Sequence, residues 1–316
     1  MFEARQVGAG ATHATAGILA PFIEAPARGP LQELTIESFR LYDDFVARVQ
    51  ATAGVAVEYR RCGTFEFAET PGDRTRLDEV ANIARAAAFE AEWTNLGPAD
   101  AAAASGPGLL IDAQGYVRAE QLMAALRRAA EARGARFHEG EAVQRIEDEG
   151  GSVALHTGER RVDCDAVVVA AGSWSDDLGL EAVGVRPVRG QIIRLGWLGR
   201  LPARVLWTRD CYVVPWTDGQ LLVGATVEEV GFDERVTVEG VGSLLRAASR
   251  LLPGASQATF LEARAGLRPA TADGLPVIRP SRRSGRIIYA TGHFRNGVLL
   301  APVTSRRVAD LIAAIP

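Results

Sequence analysis

One stretch near the middle of the chain limits the possible folds more than any other. Residues 166–171 have the sequence Ala-Val-Val-Val-Ala-Ala and are followed directly by Gly172 and Ser173. A continuous apolar run that ends at a Gly-Ser turn is typical of a strand buried on both faces of a mainly parallel sheet. The sequence therefore predicts an α/β fold with this strand in its interior.

The rest of the chain carries helical and strand-like patterns. From Arg186 to Thr226 apolar and polar residues alternate, which predicts an antiparallel sheet with a hairpin turn at 217–219. Strands are also predicted at 161–170 and 286–290. Helices are predicted at 31–53, 74–89, 121–133, 238–252 and 305–314, and the start of a further short helix at 98–104. Because α/β segments at both ends and in the middle enclose a β-rich insert, we expect two interleaved domains.

Composition and charge exclude several classes of function. The net charge of −4 comes from scattered charged residues, so neither nucleic acid nor an anionic membrane is expected as a partner. No secretory signal pattern is present and the longest apolar run is too short to span a bilayer, which predicts a cytoplasmic protein. The three cysteines lack CxxC or Cys/His spacing, which predicts reduced thiols and no metal site.

Two glycine-rich segments carry the strongest chemical signal. Residues 265–278 are Ala-Gly-Leu-Arg-Pro-Ala-Thr-Ala-Asp-Gly-Leu-Pro-Val-Ile, and residues 290–302 are Ala-Thr-Gly-His-Phe-Arg-Asn-Gly-Val-Leu-Leu-Ala-Pro. The second segment leads from a predicted strand into a helix near Pro302. Its glycines let backbone N–H groups approach a ligand closely, and the helix dipole favours electron density there. The alternative is an ordinary turn between a strand and a helix.

These segments closely resemble the C-terminal signature of the D-amino acid oxidase superfamily, and of its glycine oxidase branch in particular. That branch shows Gly-Leu-Arg-Pro-x-Thr-x-Asp-Gly-x-Pro followed by Gly-His-Phe-Arg-Asn-Gly-x-Leu-Leu-Ala-Pro. Residues 12–21, 167–174 and 211–215 are similar to the family's flavin-facing segment, second flavin strand and substrate-domain strand. The resemblance implies FAD as the cofactor, since reduced flavin carries negative charge near N1 and O2 that a helix end stabilises.

The resemblance also implies an incomplete Rossmann-like FAD-binding domain interleaved with an antiparallel-sheet substrate domain, α+β overall. The FAD-binding domain would comprise residues 1–53, 112–183 and 268–316, and the substrate domain residues 54–111 and 184–267. The family's first β-α unit with its G-x-G-x-x-G loop has no counterpart here, because Gly8 and Gly10 lack a third glycine and a complete preceding strand. Glu3 then matches the acid that binds ribose hydroxyls, and the chain would start about thirty residues late. We therefore expect the chain as given to bind FAD weakly or to fold poorly, and a version extended upstream to bind it.

Two residues match the family's positions for the substrate carboxylate. Arg268 matches the arginine whose guanidinium binds the carboxylate bidentately, and Tyr212 matches the tyrosine that hydrogen-bonds it. Both are the predicted catalytic residues, because oxidising an α-amino acid requires mainly that its Cα–H point at flavin N5. Arg295 is expected to reach the substrate side as well. The alternatives are a structural salt bridge for Arg268 and a core position for Tyr212.

The same matches imply which residues contact the cofactor. Residues 15–19 would pass along the isoalloxazine edge, and Val143 would pack on adenine. Relatives often carry arginine after the Tyr-x-x-Pro motif, where this chain has Trp216, and an aromatic side chain there would change the pocket mouth. The residues expected to bind FAD are Glu3, Thr15, Ala16, Gly17, Leu19, Val143, Ala171, Gly172, Trp174, Gly292, His293, Arg295, Asn296, Gly297, Val298 and Leu299.

The activity implied by the resemblance is FAD-dependent oxidative deamination of glycine, sarcosine or small D-amino acids. Hydride transfer to flavin would give an imine that hydrolyses, with peroxide released. The partners would be a small amino acid and O2 or an electron carrier, and relatives imply a homotetramer and a role in thiamine synthesis. The alternatives are an amino acid dehydrogenase that passes electrons to a carrier, and an inactive remnant or a subunit that acts beside another chain.

Overall fold

A computed structural model describes residues 1–96 and 106–315 of the chain. The helices are α1 (Pro21–Glu24), α2 (Pro30–Arg40), α3 (Tyr42–Ala53), α4 (Pro71–Ala86), α5 (Ala119–Glu131), α6 (Val238–Leu251) and α7 (Ala301–Ala313). The strands are β1 (Phe2–Glu3), β2 (Ile18–Leu19), β3 (Tyr59–Arg60), β4 (Thr64–Phe67), β5 (Glu92–Asn95), β6 (Pro107–Ile111), β7 (Gly115–Val117), β8 (His138–Glu139), β9 (Val143–Asp148), β10 (Val153–Thr157), β11 (Arg161–Cys164), β12 (Val167–Val169), β13 (Arg186–Gly196), β14 (Val205–Trp207), β15 (Tyr212–Trp216), β16 (Gln220–Gly224), β17 (Thr259–Ala270), β18 (Val277–Pro280) and β19 (Ile287–Thr291).

The largest sheet has eight strands in the order β17-β13-β16-β15-β14-β4-β6-β5. Its neighbouring strands run antiparallel except for β14 and β4, so the predicted antiparallel sheet is confirmed. One face packs against α6, where Leu206 belongs to the same buried cluster as Leu244. The opposite face, called the inner face below, carries Trp207 and Tyr212 and packs against Tyr116. Alternation of side chains along each strand produces this division.

The strand predicted in the interior of an α/β sheet is shorter and more exposed than expected. Residues 161–170 form two strands in different sheets: β11 pairs with β10, and β12 pairs in parallel with β19. Val167 and Val169 pack into a core. Val168 points to the opposite side of the strand and is 38% exposed. The prediction of burial on both faces is therefore wrong, because the described elements cover only one face of β12.

The helix predicted over 31–53 is also wrong as a single element. Helix α2 ends at Arg40 and α3 begins at Tyr42. Between them, the backbone N–H of Leu41 donates a hydrogen bond to the Ser38 carbonyl oxygen. The predicted stop at Gly54 is present, since this glycine adopts a left-handed φ of 65° that ends α3. The C-terminal helix α7 begins at Ala301, beside Pro302, where the glycine-rich segment was predicted to lead into a helix, and four residues before the predicted range 305–314. The predicted start of a short helix at 98–104 lies outside the described residues.

Helices α2 and α3 contact the second glycine-rich segment. The Ser38 hydroxyl of α2 donates a hydrogen bond of 2.7 Å to the Leu299 carbonyl, and the Tyr42 hydroxyl of α3 donates one of 3.1 Å to the Val298 carbonyl. These contacts fix the second glycine-rich segment against the N-terminal helices. Within the described residues, no helix has the length and apolar character needed to cross a membrane. The division into two interleaved domains stays a prediction.

Candidate active site

Arg268 lies across the inner face of the large sheet rather than pointing away from it. Its strand β17 pairs with β13, and a Cβ on Gly190 of β13 would lie only 2.1 Å from the Arg268 Nη2 atom. The guanidinium donates hydrogen bonds to the carbonyl oxygens of Thr226 (2.9 Å) and Arg189 (3.4 Å). Among residues 1–96 and 106–315 it forms no ion pair with a carboxylate, so the structural salt bridge considered as an alternative does not appear there.

Tyr212 occupies a second depression on the same face. It is 8% exposed, and a Cβ on Gly224 of the neighbouring strand β16 would lie 2.4 Å from its hydroxyl oxygen. The Trp207 ring packs beside it, with ring centroids 5.1 Å apart. Gly190 and Gly224 therefore leave space in which Arg268 and Tyr212 lie flat on the sheet, because glycine in a strand permits close approach of another group.

Arg295 approaches these residues from the second glycine-rich segment. Its Nε and Nη2 atoms each lie 3.2 Å from an oxygen of Glu24, at the end of α1. Its guanidinium carbon lies 5.9 Å from the centroid of the Trp207 ring. The structure thus brings Arg268, Tyr212 and Arg295 together and adds Glu24 to them.

These four groups influence one another electrostatically. Burial lowers the pKa of Arg268 and raises the pKa of both Tyr212 and Glu24. The charges of the two arginines partly oppose the rise for Tyr212 and for Glu24. Tyr212 therefore stays protonated near neutral pH and can donate a hydrogen bond to an anion.

The second glycine-rich segment lies where two parallel strands end. Strand β19 ends at Thr291, whose hydroxyl donates a hydrogen bond of 3.0 Å to the Gly172 carbonyl just beyond β12. Gly292 has φ +75°, and a Cβ there would lie 2.7 Å from Thr271 Cγ2. Ligands of open α/β sheets bind at such carboxyl ends of neighbouring strands.

Two polar side chains of this segment differ in their bonding. His293 Nε2 lies 2.9 Å from the Thr304 hydroxyl, and burial lowers the pKa of His293 to about 4, so the ring is neutral near pH 7. Asn296 is 4% exposed, and its Oδ1 atom has no hydrogen-bond partner among the described residues. A buried amide oxygen without a partner is costly, and a bound cofactor that donates a hydrogen bond would satisfy it.

The flavin-facing residues predicted at 15–19 lie partly in the core. Leu19 is fully buried in the same cluster as Leu299. Gly17 approaches β7 closely, because a Cβ there would lie 1.8 Å from the Val117 carbonyl oxygen. Its N–H is 3.4 Å from the Thr15 hydroxyl oxygen. Packing thus accounts for Gly17 and Leu19, and their contact with flavin stays a prediction.

The predicted ribose and adenine residues lie near each other. Glu3 Oε1 accepts a hydrogen bond of 2.9 Å from the Arg5 backbone, and the Glu3 carbonyl accepts one of 3.0 Å from Glu141, two residues before Val143. Trp174 packs against Phe232 at 5.6 Å between ring centroids. The contacts of Glu3, Val143, Ala171 and Trp174 with FAD also stay predictions.

Trp216 belongs to the same buried cluster as Tyr212 and Trp207. It follows Tyr212 by four residues on β15, which is about 13 Å along a strand. It is 3% exposed and the Arg118 guanidinium covers its ring at 4.1 Å. The expectation that this residue changes the pocket mouth stays a prediction.

Sequence reasoning missed Gly190, Gly224, Glu24 and Trp207. Gly190 lies within β13 and Gly224 ends β16, and a glycine in a strand is a signal for close approach of another group, but the sequence does not say which side chain approaches. Glu24 ends a helix of only four residues and follows an apolar stretch, so nothing in the local sequence marks it as part of a site.

Comparison with known proteins identifies the family. The sequence model of the family described as FAD dependent oxidoreductase matches residues 1–311. The chain belongs to this family. It is 33% identical to the glycine oxidase of Geobacillus kaustophilus (strain HTA426) over 328 residues, which cover 99% of this chain and 85% of that protein. It is 32% identical over 327 residues to the bifunctional protein ThiO/ThiG of Synechocystis sp., covering 98% of this chain and 46% of that protein.

The fold leads to the same family. The crystal structure of glycine oxidase from Geobacillus kaustophilus superposes with a TM-score of 0.94 at 31% identity, over 100% of this chain and 88% of that chain. The predicted family, the mixed α/β fold, the enzymatic nature of the protein and its use of FAD are confirmed. The unpartnered oxygen of Asn296 and the close packing at Gly292 fit a cofactor at the ends of β12 and β19. The protein is thus a glycine oxidase-like FAD-dependent oxidoreductase.

Proposed function

We propose that the protein catalyses oxidative deamination of glycine, sarcosine or a small D-amino acid. The observation that carries this proposal is the Arg268 guanidinium, which lies over Gly190 without a carboxylate partner among the described residues. The protonated Tyr212 hydroxyl beside it supplies a second donor for the same anion. A carboxylate is the natural ligand of a guanidinium fork next to a hydroxyl donor.

In this proposal the side chains bind and orient the substrate. Arg268 and Tyr212 bind its carboxylate, while Arg295 lines the same space. The bulk of Trp207 restricts the room beside Tyr212 and favours small substituents. FAD, when bound, supplies the hydride acceptor, and the protein contributes orientation. The amino acid loses hydride from Cα, and water hydrolyses the resulting iminium ion to an oxo acid and ammonium, or methylammonium when the substrate is sarcosine.

We further propose that the cofactor is held at the ends of β12 and β19. The residues assigned to it are Glu3, Thr15, Ala16, Gly17, Leu19, Val143, Ala171, Gly172, Trp174, Gly292, His293, Arg295, Asn296, Gly297, Val298 and Leu299. The neutral His293 ring and the Asn296 amide suit hydrogen bonding to an uncharged ring system. The same proposal includes two domains: an FAD-binding domain of residues 1–53, 112–183 and 268–316, and a substrate domain of residues 54–111 and 184–267.

It also includes a cytoplasmic location, a homotetramer and a contribution to thiamine synthesis. The relative named ThiO/ThiG supports the last of these.

Steady-state kinetics of the FAD-loaded enzyme test the proposal. Glycine, sarcosine and D-alanine should each be turned over, with peroxide released under air. Reduction of an artificial dye without peroxide would instead indicate the dehydrogenase. Arg268→Met should raise KM for glycine by about 10- to 150-fold, since a hydrogen bond to a charged group contributes about 1.5–3 kcal/mol. Arg246→Met on α6, whose guanidinium pairs with Glu239 on the far side of the sheet, is the matched control. Unchanged KM in Arg268→Met would contradict the assignment.

A further inference from the structure

Glu24 is the one carboxylate among the described residues that pairs with an arginine of the proposed substrate site. Both of its oxygens face the Arg295 guanidinium, with N–O distances of 3.2 Å. The Glu24 side chain is 11% exposed and that of Arg295 is 32% exposed. A two-point contact of this kind fixes the orientation of a guanidinium.

The other charged groups around the site are already balanced. Glu66, which lies beside Trp207 across the β4–β14 pair, is hydrogen-bonded by Arg76. Glu228, whose charge acts on Arg268, accepts a hydrogen bond of 3.2 Å from Arg189 Nε. With Glu24 neutralising Arg295 as well, the proposed site keeps one uncompensated positive charge, that of Arg268.

We propose that Glu24 restricts the substrate site to amines with a single carboxylate by neutralising Arg295. This inference rests on the proposed function and deepens it. One uncompensated guanidinium matches one carboxylate of the substrate. A second carboxylate would meet the Arg295–Glu24 pair and would be repelled by Glu24. Without the charge of Glu24, Arg295 would be free to bind it.

Ligand binding tests this without relying on turnover. Calorimetry with the FAD-loaded enzyme measures the affinities for acetate and malonate, which differ by one carboxylate. Glu24→Gln should raise the affinity for malonate relative to acetate by about tenfold or more, because one like charge is removed and one guanidinium is released. The ratio of kcat/KM for D-aspartate to that for D-alanine should rise by a similar factor. An unchanged binding ratio in folded, FAD-loaded Glu24→Gln would overturn the inference.

A charge-compensated pair of variants keeps the test decisive if Glu24→Gln does not fold. Arg295→Met should weaken acetate binding, since Glu24 then opposes Arg268. Adding Glu24→Gln to Arg295→Met should restore acetate binding without any gain for malonate, because a double-variant cycle isolates the pair. Failure to restore it would count against the role of Glu24. Glu37→Gln, which removes a carboxylate that pairs with Arg307 on α7, is the matched control and should shift neither ratio.

The two proposals can fail separately. If the wild-type enzyme oxidises none of glycine, sarcosine and D-alanine but the acetate and malonate affinities shift as expected, the proposed reaction is wrong and the charge role of Glu24 stands. If the wild-type enzyme oxidises them and the affinity ratio does not move, the reaction stands and the role of Glu24 is wrong.

Discussion

Replacing Gly190 by alanine should displace the substrate-binding arginine while leaving the fold intact. The new methyl carbon would lie 2.1 Å from Arg268 Nη2, whereas ordinary contacts begin near 3.4 Å, so the guanidinium must move by at least about 1.3 Å. A displacement of about 1 Å at a positioning group costs on the order of 100-fold in rate. We therefore expect kcat/KM for glycine to fall about 100-fold, equivalent to about 2.7 kcal/mol.

The same substitution should change stability little. Gly190 does not adopt a left-handed φ, so its backbone accommodates alanine, and the atoms in the way are the far end of a flexible side chain. The free energy of unfolding should stay within about 1 kcal/mol of the wild-type value. Gly196→Ala is the matched control, since this glycine lies on the same strand and face and a Cβ there would lie 3.4 Å from its nearest neighbour.

The assays are steady-state kinetics with glycine, calorimetry with acetate and thermal unfolding, each on FAD-loaded protein. The expected pattern is a large loss of kcat/KM and of acetate affinity in Gly190→Ala alone, with similar melting temperatures for all three proteins. A folded Gly190→Ala enzyme with wild-type kcat/KM and acetate affinity would refute the argument that the glycine makes room for the arginine.

Three further outcomes follow from the geometry. Tyr212→Phe should raise KM for glycine about 10- to 100-fold without changing the melting temperature, because it removes one hydrogen bond to a charged group. Since burial raises the pKa of Glu24, lowering the pH through that pKa should protonate it, release Arg295 and strengthen malonate binding relative to acetate. Protonation of the ligands themselves affects the wild type and Glu24→Gln equally. Calorimetry should therefore show the additional pH dependence in the wild type and not in Glu24→Gln. Leu206→Ala should lower the free energy of unfolding in urea by about 2–5 kcal/mol, whereas Leu198→Ala, at a side chain 86% exposed, should change it by less than about 0.5 kcal/mol.

Much of the fold could be predicted because its elements follow local periodicity. The alternation of apolar and polar residues in 186–226 predicted the antiparallel strands. The end of α3 at Gly54 was predictable because glycine readily adopts the left-handed conformation that ends a helix. The break at Leu41 could not be predicted, because no glycine or proline marks it. The separation of β11 from β12 depends on which strands each one pairs with, and no pattern inside 161–170 carries that information.

The candidate site shows the same limit. Arg268, Tyr212 and Arg295 were predicted from a resemblance, and the structure places them together. Gly190 and Gly224 were not, since their role depends on the strand register that puts them under Arg268 and Tyr212. Glu24 was missed because its partner lies 271 positions away in the sequence, beyond the reach of any local pattern.

That separation bears on how the protein is made. At about 5–20 residues per second, a ribosome needs roughly 14 to 54 s to proceed from Glu24 to Arg295. During this time the helices α1, α2 and α3 have left the ribosome without the segment that Ser38 and Tyr42 hold in place. The binding site therefore cannot exist in the nascent chain until Arg295 has been synthesised. Cofactor capture should accordingly wait until the segment around Arg295 has left the ribosome, and chaperones that shield the early helices should increase the yield of loaded enzyme.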